Sequence, residues 1–334
     1  MAEGSDGQPG ESLIMPGNEL LLFIAFNAFI LLMLAVDLGV FHRKAHAITI
    51  RESAIWSVVW LVLALAFNAG VFVVAGQTPG LEFFAGYLIE RALSFDNIFV
   101  FLIILSYFRV PSHLQHRVLF WGIIGALITR SLFIAAGAAL LSRFEWVLYI
   151  FGVILMYSGG KMMFEKGTEV HPERNVFIRT AQRLLPLTNS YETDGFTVRK
   201  GGKLFFTPLI AVILALETTD VIFAVDSIPA VFGVTRDPFI AYSSNIFAIL
   251  GLRATYFLLA GVMDSFHYLS HGLSIVLVFV GVKMLLGAFI HIPIAISLGI
   301  VVGILAAAIM ASILRNRRLA KRRPPDDPSP DVPV

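Results

Sequence analysis

Two pairs of acidic residues lie within apolar segments of this sequence, and the acids of each pair are six positions apart. Glu90 and Asp96 form the first pair, Asp220 and Asp226 form the second, and Glu217 comes three residues before the second pair. An isolated charge at the centre of a bilayer costs about 2.5–3.5 kcal/mol. If these segments cross a membrane, the acids therefore need counter-charges, water or a ligand, and they are the first candidates for a functional site.

The oxygens of these side chains indicate which ligand such a site would take. Carboxylates are hard ligands, which suit Mg²⁺, Ca²⁺ or Mn²⁺ better than Zn²⁺ or Cu⁺. Asn97 and Ser227 directly follow one acid of each pair and either add oxygen ligands or simply bond between helices. Asn68 and Asn245 lie in other apolar segments and invite the same interpretation. The predicted metal ligands are Glu90, Asp96, Asn97, Glu217, Asp220, Asp226 and Ser227.

Buried carboxylates can also carry protons. Low dielectric favours the neutral form of a carboxyl group, so such a group can exchange a bound metal ion for protons. The chain has no Cys, which excludes disulfides, thiolate metal sites and thiol redox chemistry by its own residues. No Walker sequence is present, so transport would draw on an ion gradient rather than on ATP.

Basic residues in the same apolar segments offer a simpler explanation of the acids. Arg130 and Arg253 are predicted to form charge pairs that support the site, and Asp37 in the first segment is placed with them. Pairing alone would lock helices together without any further role. The acids that begin at Glu217 form a cluster without a base in it, however, and such a cluster needs a cation or protons.

The elements that carry these residues are long apolar segments. The chain has 334 residues, of which 57% are hydrophobic and 14% are charged, more apolar surface than a soluble core can hide. A helix needs about 20 apolar residues to cross the hydrocarbon layer. The sequence therefore predicts an all-α polytopic membrane protein with about nine transmembrane helices, at about 20–41, 52–76, 82–107, 118–141, 146–164, 204–233, 239–262, 271–290 and 292–314.

The distribution of Lys and Arg predicts the orientation, because cytoplasmic loops hold the excess. With the N-terminus outside, eighteen of the 25 basic residues lie in the inner segments, and Arg143 and Arg236 lie in the outer ones. The C-terminus is then cytoplasmic. The basic residues report topology, and no nucleic-acid partner is expected.

Two stretches of the chain repeat the same features in the same order. Each has an acid pair, then an arginine, then Gly-x-Lys-Met, at 159–162 in the first copy and 281–284 in the second. Lys161 and Lys283, at matched positions, are interpreted as structural or topological. Each copy has three crossings, so the second enters the membrane from the opposite side. We therefore predict an inverted repeat of two three-helix units, at 81–165 and 204–291, as in secondary transporters.

The acids of a pair would face different ways on a regular helix, because six residues turn through about 240°. Pro208 and Pro229 favour a break in the sixth segment, which would bring its acids together.

Outside the repeats, the predicted parts are a disordered acidic tail at 1–18, two transmembrane helices at 19–80, a cytoplasmic loop at 166–203 lying along the membrane surface, a final transmembrane helix at 292–314, and a basic, then Pro- and Asp-rich, tail at 315–334.

Three motifs resemble the TerC family of integral membrane proteins, which is placed near the lysine-exporter superfamily. They read ERALSFDN at 90–97, Glu217-x-x-Asp220 followed by FAVDSIPA at 223–230, and DLGVFHRK at 37–44. The resemblance covers about residues 20 to 315. It implies a bacterial inner-membrane protein of divalent-metal homeostasis, with Mn²⁺ export as the leading function. Tellurite, for which the family is named, is an oxyanion that an acidic site would repel.

Different classes of function remain open from the sequence. The first is a secondary transporter without a prosthetic group that exports Mn²⁺, or Ca²⁺ or Mg²⁺, in exchange for protons. The alternative is a membrane scaffold that supports metalation or insertion of other proteins, for example through the loop 165–203. An enzyme is not expected, because no signature supports Asp96 and Asp226 as a hydrolase dyad. Besides the lipid bilayer and the metal ion, a homo-oligomer or a membrane-protein partner stays open.

Overall fold

The chain is almost wholly helical where the structure, a computed structural model, describes it. The described residues are 19–41, 49–164, 186, 188, 191, 193, 195–200, 203–259, 268–287, 289–290 and 292–322, without the side chains of 19–20, 37–41, 96, 200, 203 and 319–322. The helices are α1 (Glu19–Phe41), α2 (Ile50–Ala75), α3 (Gln77–Tyr107), α4 (Ser112–Arg143), α5 (Val147–Phe164), α6 (Pro208–Phe232), α7 (Pro238–Leu250), α8 (Leu252–Leu259), α9 (Leu269–Leu286) and α10 (Ile294–Arg322).

Six of the described helices are long and apolar enough to cross a membrane: α2, α4, α5, α6, α9 and α10. Helix α1 adds a shorter apolar stretch, Leu21–Val36. Large apolar side chains point outward, with Val73 86% exposed and Phe164 85% exposed. Apolar surface of this kind is stable against lipid and unfavourable in water. The predicted class, an all-helical polytopic membrane protein, is therefore confirmed at this level.

The number of crossings differs from the prediction of nine. Helix α3 is 31 residues long, but it holds Glu82, Glu90, Arg91 and Asp96 and is therefore not among these six helices. The predicted segment 239–262 is divided at Gly251 into α7 and α8. Residues 260–267 lie outside the described set. The count of nine thus stays a prediction.

The predicted break in the sixth segment is wrong. Helix α6 begins at Pro208, a position where a missing N–H costs nothing, and continues through Pro229 to Phe232. Residues 203–206 at the start of that segment form a β-strand instead of helix. Helix α3 is likewise continuous past Glu90 and Asp96. Asp220 and Asp226 therefore do face different ways.

Helices α3, α4, α6 and α7 form the centre of the protein, where α3 packs on α7, α4 packs on α6, and α3 crosses α6. A second close pair is α5 with α9. A Cβ built at Gly281 would lie 2.7 Å from the carbonyl oxygen of Gly152, and one built at Gly159 would lie 2.7 Å from that of Ser274. Only glycine permits this approach of the two backbones.

A small hairpin docks against the ends of α3 and α4. Strand β1 (Thr197–Lys200) pairs antiparallel with β2 (Lys203–Phe206). The ring of Phe196 contacts Trp121 of α4, and the Tyr191 hydroxyl donates to the carbonyl of Phe108 at 2.8 Å. Burial raises the pKa of Tyr191 to about 12. The described part of the predicted loop 166–203 is thus partly folded into a hairpin, which the sequence did not predict.

The predicted parts at the chain ends lie mostly outside the described residues and stay predictions. The tail 1–18 and the last residues from 323 onward lie outside the described set, as do all of residues 165–185. The final helix does not end at 314 as predicted, since α10 continues through the basic run to Arg322. Lys and Arg are good helix formers, so the basic run extends the helix rather than ending it.

Candidate functional site

A buried arginine lies at the centre of the helical core. Arg130 of α4 is 1% exposed. Its Nη2 lies 3.1 Å from Oδ1 of Asp220, and its Nε lies 3.3 Å from Oδ2 of the same carboxylate. Its Nη1 lies 2.5 Å from Oε1 of Glu90 and also donates to the hydroxyl of Ser227. The guanidinium therefore joins α3, α4 and α6 by charge-assisted hydrogen bonds.

The helical period explains which residues of α6 reach this arginine. Asp220 and Ser227 are seven residues apart, which is close to two full turns, so both lie on the face toward α4. Asp226 lies about 240° around the helix from Asp220 and cannot share that face. Ser227 is thus near Arg130 because of its spacing from Asp220, not because it follows Asp226.

Glu90 is fully buried, with 0% exposure, and both of its carboxylate oxygens are used. Oε1 faces Arg130, and Oε2 accepts a hydrogen bond from Nδ2 of Asn245 at 3.0 Å. Asn245 lies on α7, so a fourth helix joins the cluster. The amide oxygen of Asn245 is buried and has no hydrogen-bond partner among the described residues. It is a candidate oxygen ligand next to Glu90.

Glu217 lies one turn before Asp220 on α6 and has a distinct environment. Its Oε1 is buried without a hydrogen-bond partner in the part of the chain that the structure describes. The carboxyl group lies against Gly125 of α4, where a built Cβ would overlap it. Glycine at this position therefore makes the space that Glu217 occupies.

The charges of this cluster do not balance. We use the term Arg130 cluster for Arg130, Glu90, Asp220, Glu217, Ser227 and Asn245. Arg130 forms ion pairs with Glu90 and Asp220, and Glu217 is a third carboxylate. With all three ionised, the described members carry three negative charges and one positive charge. Desolvated carboxylates in excess require a proton or a bound cation.

Asp226 lies apart from the Arg130 cluster. Its Oδ1 accepts a hydrogen bond from the hydroxyl of Ser158 on α5 at 2.6 Å. Lys161, one turn further along α5, interacts electrostatically with it. The expectation that Glu217, Asp220 and Asp226 form one cluster without a base is therefore wrong, because Asp220 pairs with Arg130 and Asp226 faces a different helix.

The other predicted site residues are placed as follows. Asn97 is buried on α3, and Arg253 is buried near the start of α8. Lys161 and Lys283 each lie in the last turn of a helix. The side chains of Asp37 and Asp96 lie outside the described set. Among the side chains that are described, no three Asp, Glu or His residues converge into a group that would hold a metal ion. Because the side chain of Asp96 lies outside that set, the seven predicted ligands as a group stay a prediction.

Several contacts were not visible in the sequence. Ser158 and Gly125 were not singled out, although both belong to stretches of small residues, which is typical of close helix contacts in membranes. Glu82 accepts a hydrogen bond from Thr235 at 2.6 Å and interacts electrostatically with Lys283. Asn245 was a candidate on residue type alone, and the structure adds its bond to Glu90.

Comparison with known proteins agrees with this architecture. Residues 75–320 match the model of the integral membrane protein TerC family. The chain is 49% identical over 296 residues to an uncharacterized membrane protein of Myxococcus xanthus, covering 89% of this chain and 93% of that protein.

A second relative carries a functional name. The chain is 47% identical over 312 residues to the Escherichia coli K12 protein named "Putative membrane-bound redox modulator Alx", covering 91% of this chain and 97% of that one. No solved structure matches the chain. The family match spans well over half of the sequence, and the chain belongs to the TerC family of integral membrane proteins.

Proposed function

We propose that this protein is a secondary transporter that exports a divalent metal cation, with Mn²⁺ as the substrate, in exchange for protons. The observation that carries the proposal is the charge imbalance of the Arg130 cluster. The carboxylates of Glu90 and Asp220 lie in the buried core beside one guanidinium. The half-buried Glu217, one turn before Asp220, adds a third carboxylate whose Oε1 is buried without a hydrogen-bond partner among the described residues. Intramembrane ionisable residues of this kind mark ion pathways and proton relays.

The chemistry of the cluster fits a hard divalent cation. Its unpaired groups are oxygens: Oε1 of Glu217 and the amide oxygen of Asn245 are both buried without a hydrogen-bond partner among the described residues. Mn²⁺, Mg²⁺ and Ca²⁺ prefer such oxygen ligands. Gaining a cation and gaining protons are two ways to remove the same excess charge. A cluster that alternates between them performs antiport.

Matched contacts in the two units support the predicted inverted repeat. Gly86 of α3 packs against Ser244 of α7, and Leu216 of α6 packs against Gly122 of α4. A shift of 130 positions pairs Gly86 with Leu216, and a shift of 122 pairs Gly122 with Ser244, one residue from the shift of 123 that pairs Arg130 with Arg253, so the two contacts lie at closely corresponding places in the two units. The α5–α9 crossing behaves in the same way.

In that crossing, Gly281 approaches Gly152, and Gly159 approaches Ser274. The shift of 122 positions exchanges the two contacts. Such a construction is typical of secondary transporters whose site lies where the repeats meet. The Arg130 cluster, which joins α3 and α4 of one unit to α6 and α7 of the other, lies at that meeting point. Nine crossings, an N-terminus outside and a C-terminus in the bacterial cytoplasm complete the proposed arrangement.

The name of the E. coli relative refers to a redox role, and a thiol of this chain could not perform such a role. The chain has no Cys, so its own residues supply no thiol or disulfide. An effect on cellular redox state would therefore follow from the metal that is moved.

Metal flux in proteoliposomes tests the proposal. Purified protein is reconstituted with a metal-sensitive dye inside, a pH gradient is imposed, and Mn²⁺ entry is compared between wild type and the variants Glu217→Gln, Glu90→Gln and Asp220→Asn. Glu145→Gln is the matched control, because Glu145 is exposed between α4 and α5. Excess Ca²⁺ and Mg²⁺ are added in a parallel series to test selectivity.

We expect Mn²⁺ flux to fall at least about tenfold in the three cluster variants and to persist in the control. A folded wild-type protein that moves no Mn²⁺ would overturn the proposal. So would cluster variants that transport as well as the control does.

A further inference from the structure

A second arginine, Arg91, contacts both helices that flank Gly251, the residue between the end of α7 and the start of α8. Arg91 of α3 donates from Nη1 to the carbonyl oxygen of Ala248 at 3.2 Å, and from Nη2 to the hydroxyl of Thr255. Ala248 belongs to α7 and Thr255 to α8. One guanidinium therefore holds both sides of the interruption.

Gly251, the residue between α7 and α8, leaves the space into which the Arg91 guanidinium fits. A Cβ built at Gly251 would lie 2.6 Å from Nη1 of Arg91 and 3.1 Å from Cζ. The φ of Gly251 is −77°, which any residue can adopt, so glycine is needed for space and not for conformation. The carbonyl of Gly251 accepts from the backbone N–H and the hydroxyl of Thr255, at 3.1 and 2.8 Å. These bonds align Thr255 for Arg91.

The residue next to Arg91 on α3 belongs to the Arg130 cluster. Glu90 precedes Arg91 and accepts a hydrogen bond from Asn245 of α7 at 3.0 Å. Asn245 is three residues before Ala248, which is about one helical turn. Helix α3 thus contacts two successive turns of α7. Glu90 of the Arg130 cluster bonds to Asn245, and Arg91 bonds to Ala248.

The corresponding place in the repeat, between α6 and α4, lacks this arrangement. The shift that turns Gly86 into Leu216 places Val221 at the position of Arg91. Helix α4, the counterpart of α7 and α8, runs from Ser112 to Arg143 without interruption. Arg91 lies in the first unit and contacts the interruption in the second, whereas the corresponding pair, Val221 on α6 and the continuous helix α4, has neither the arginine nor the interruption. An arginine inside a membrane is costly, and here its partners are a carbonyl and a hydroxyl rather than a carboxylate.

We propose that Arg91 is a positioning residue that fastens α7 to α8 across Gly251 and thereby holds Asn245 against Glu90. The joint at Gly251 is the point about which α7 moves relative to α3 during transport. Arg91 does not itself contact the Arg130 cluster and acts on it only through the position of Asn245, so its loss slows that movement more than it weakens the affinity for the ion. This last statement rests on the proposed function, whereas the fastening of α7 does not.

A cysteine reporter tests the fastening without any transport. The chain has no Cys, so a single cysteine can be introduced by Ser244→Cys on α7, where Ser244 is 0% exposed and faces Gly86 of α3. Its reaction with a small thiol reagent is timed in proteoliposomes, alone and combined with Arg91→Gln or Gly251→Ala. Gly251→Ala is the milder probe, because it displaces only the end of a flexible side chain.

Two controls accompany the reporter. Gly299→Ala on α10 is the matched glycine substitution, since nothing lies within 4 Å of its built Cβ. Ser274→Cys on α9, also 0% exposed, reports on general loosening. We expect reaction at Ser244→Cys to become about tenfold faster with Arg91→Gln and with Gly251→Ala, and reaction at Ser274→Cys to stay unchanged.

Flux measurements give the second readout. We expect Arg91→Gln and Gly251→Ala to lower the maximal Mn²⁺ flux about tenfold while KM stays within about threefold, with Arg91→Lys in between because it reaches one acceptor only. Reporter reactivity and flux equal to those of Gly299→Ala would overturn the inference. If the wild type moves no metal, the proposed function fails, and the reporter alone still decides whether Arg91 fastens α7.

Discussion

Arg130 and Asp220 meet as two forks, with Nη2 and Nε of the guanidinium 3.1 and 3.3 Å from the two carboxylate oxygens. This geometry is specific to arginine, because a lysine offers one ammonium instead of a planar fork. It fixes the rotation of α6 against α4. That rotation decides which acids enter the Arg130 cluster and which face elsewhere.

Removal of the Arg130 guanidinium should destabilise the fold more than removal of the whole ion pair. One partner taken from a buried pair leaves the other charge unpaired, at a cost of about 3–5 kcal/mol. We expect Arg130→Met to unfold at a lower temperature than Arg130→Met combined with Asp220→Asn, measured by circular dichroism in detergent. Arg143→Met at the exposed end of α4 is the control. Losses that simply add would show that the two residues do not interact.

Gly125 should be as important for transport as the carboxylate that it accommodates. In Gly125→Ala the new methyl group overlaps the Glu217 carboxyl group, which must move. We expect Mn²⁺ flux to fall about tenfold or more. Gly122→Ala is a matched control on the same helix, because its Cβ would lie at an ordinary 3.6 Å from Leu216. Equal flux in the two variants would mean that the position of Glu217 is not important.

Asp226 should be coupled to Ser158 and independent of Glu217. A hydrogen bond to a charged group contributes about 1.5–3 kcal/mol, and neighbours show non-additive effects. In a double-mutant cycle of unfolding free energies, we expect Ser158→Ala to have little further effect once Asp226→Asn is present. We expect Asp226→Asn and Glu217→Gln to add. Strong coupling between the two acids would place them in one site and contradict the geometry described here.

The hydrogen bond from Tyr191 to the carbonyl of Phe108 should be insensitive to pH through the range in which proton-driven transport is measured. Burial raises the pKa of Tyr191 to about 12 from an ordinary value of 10.0. The stabilisation by its neutral hydroxyl is therefore complete below pH 10.0 and is lost as the pH rises toward about 12. The difference between tyrosinate absorbance titrations of wild type and Tyr191→Phe isolates this phenol. A midpoint near 10.0 would show that Tyr191 is not docked against Phe108.

The sequence predicted the class of fold and part of the site for identifiable reasons. Long apolar segments indicated a membrane protein, and charges within them had to find partners, as Arg130 does with Glu90. The divergence of Asp220 and Asp226 followed from the helical period alone. The expected break at Pro229 was wrong because packing keeps α6 helical through the proline.

Other features depend on tertiary contacts that spacing does not encode. Asn245 meets Glu90 because α7 crosses α3 at that depth, and Gly125 matters only because Glu217 lies opposite. The interruption at Gly251 has no proline beside it and is instead filled by a guanidinium from another helix. The hairpin at 197–206 was missed because two four-residue strands between basic residues resemble an ordinary polar loop.

The most direct test of the central claim is whether metal and protons move in opposite directions through the Arg130 cluster. Proteoliposomes with a pH-sensitive dye inside and no imposed pH gradient are given an outward Mn²⁺ gradient. The account predicts that Mn²⁺ leaving the vesicles drives proton entry, that the acidification requires Mn²⁺, and that Glu217→Gln abolishes it while Glu145→Gln does not. Mn²⁺ movement without proton entry, or proton entry that persists in Glu217→Gln, would contradict it.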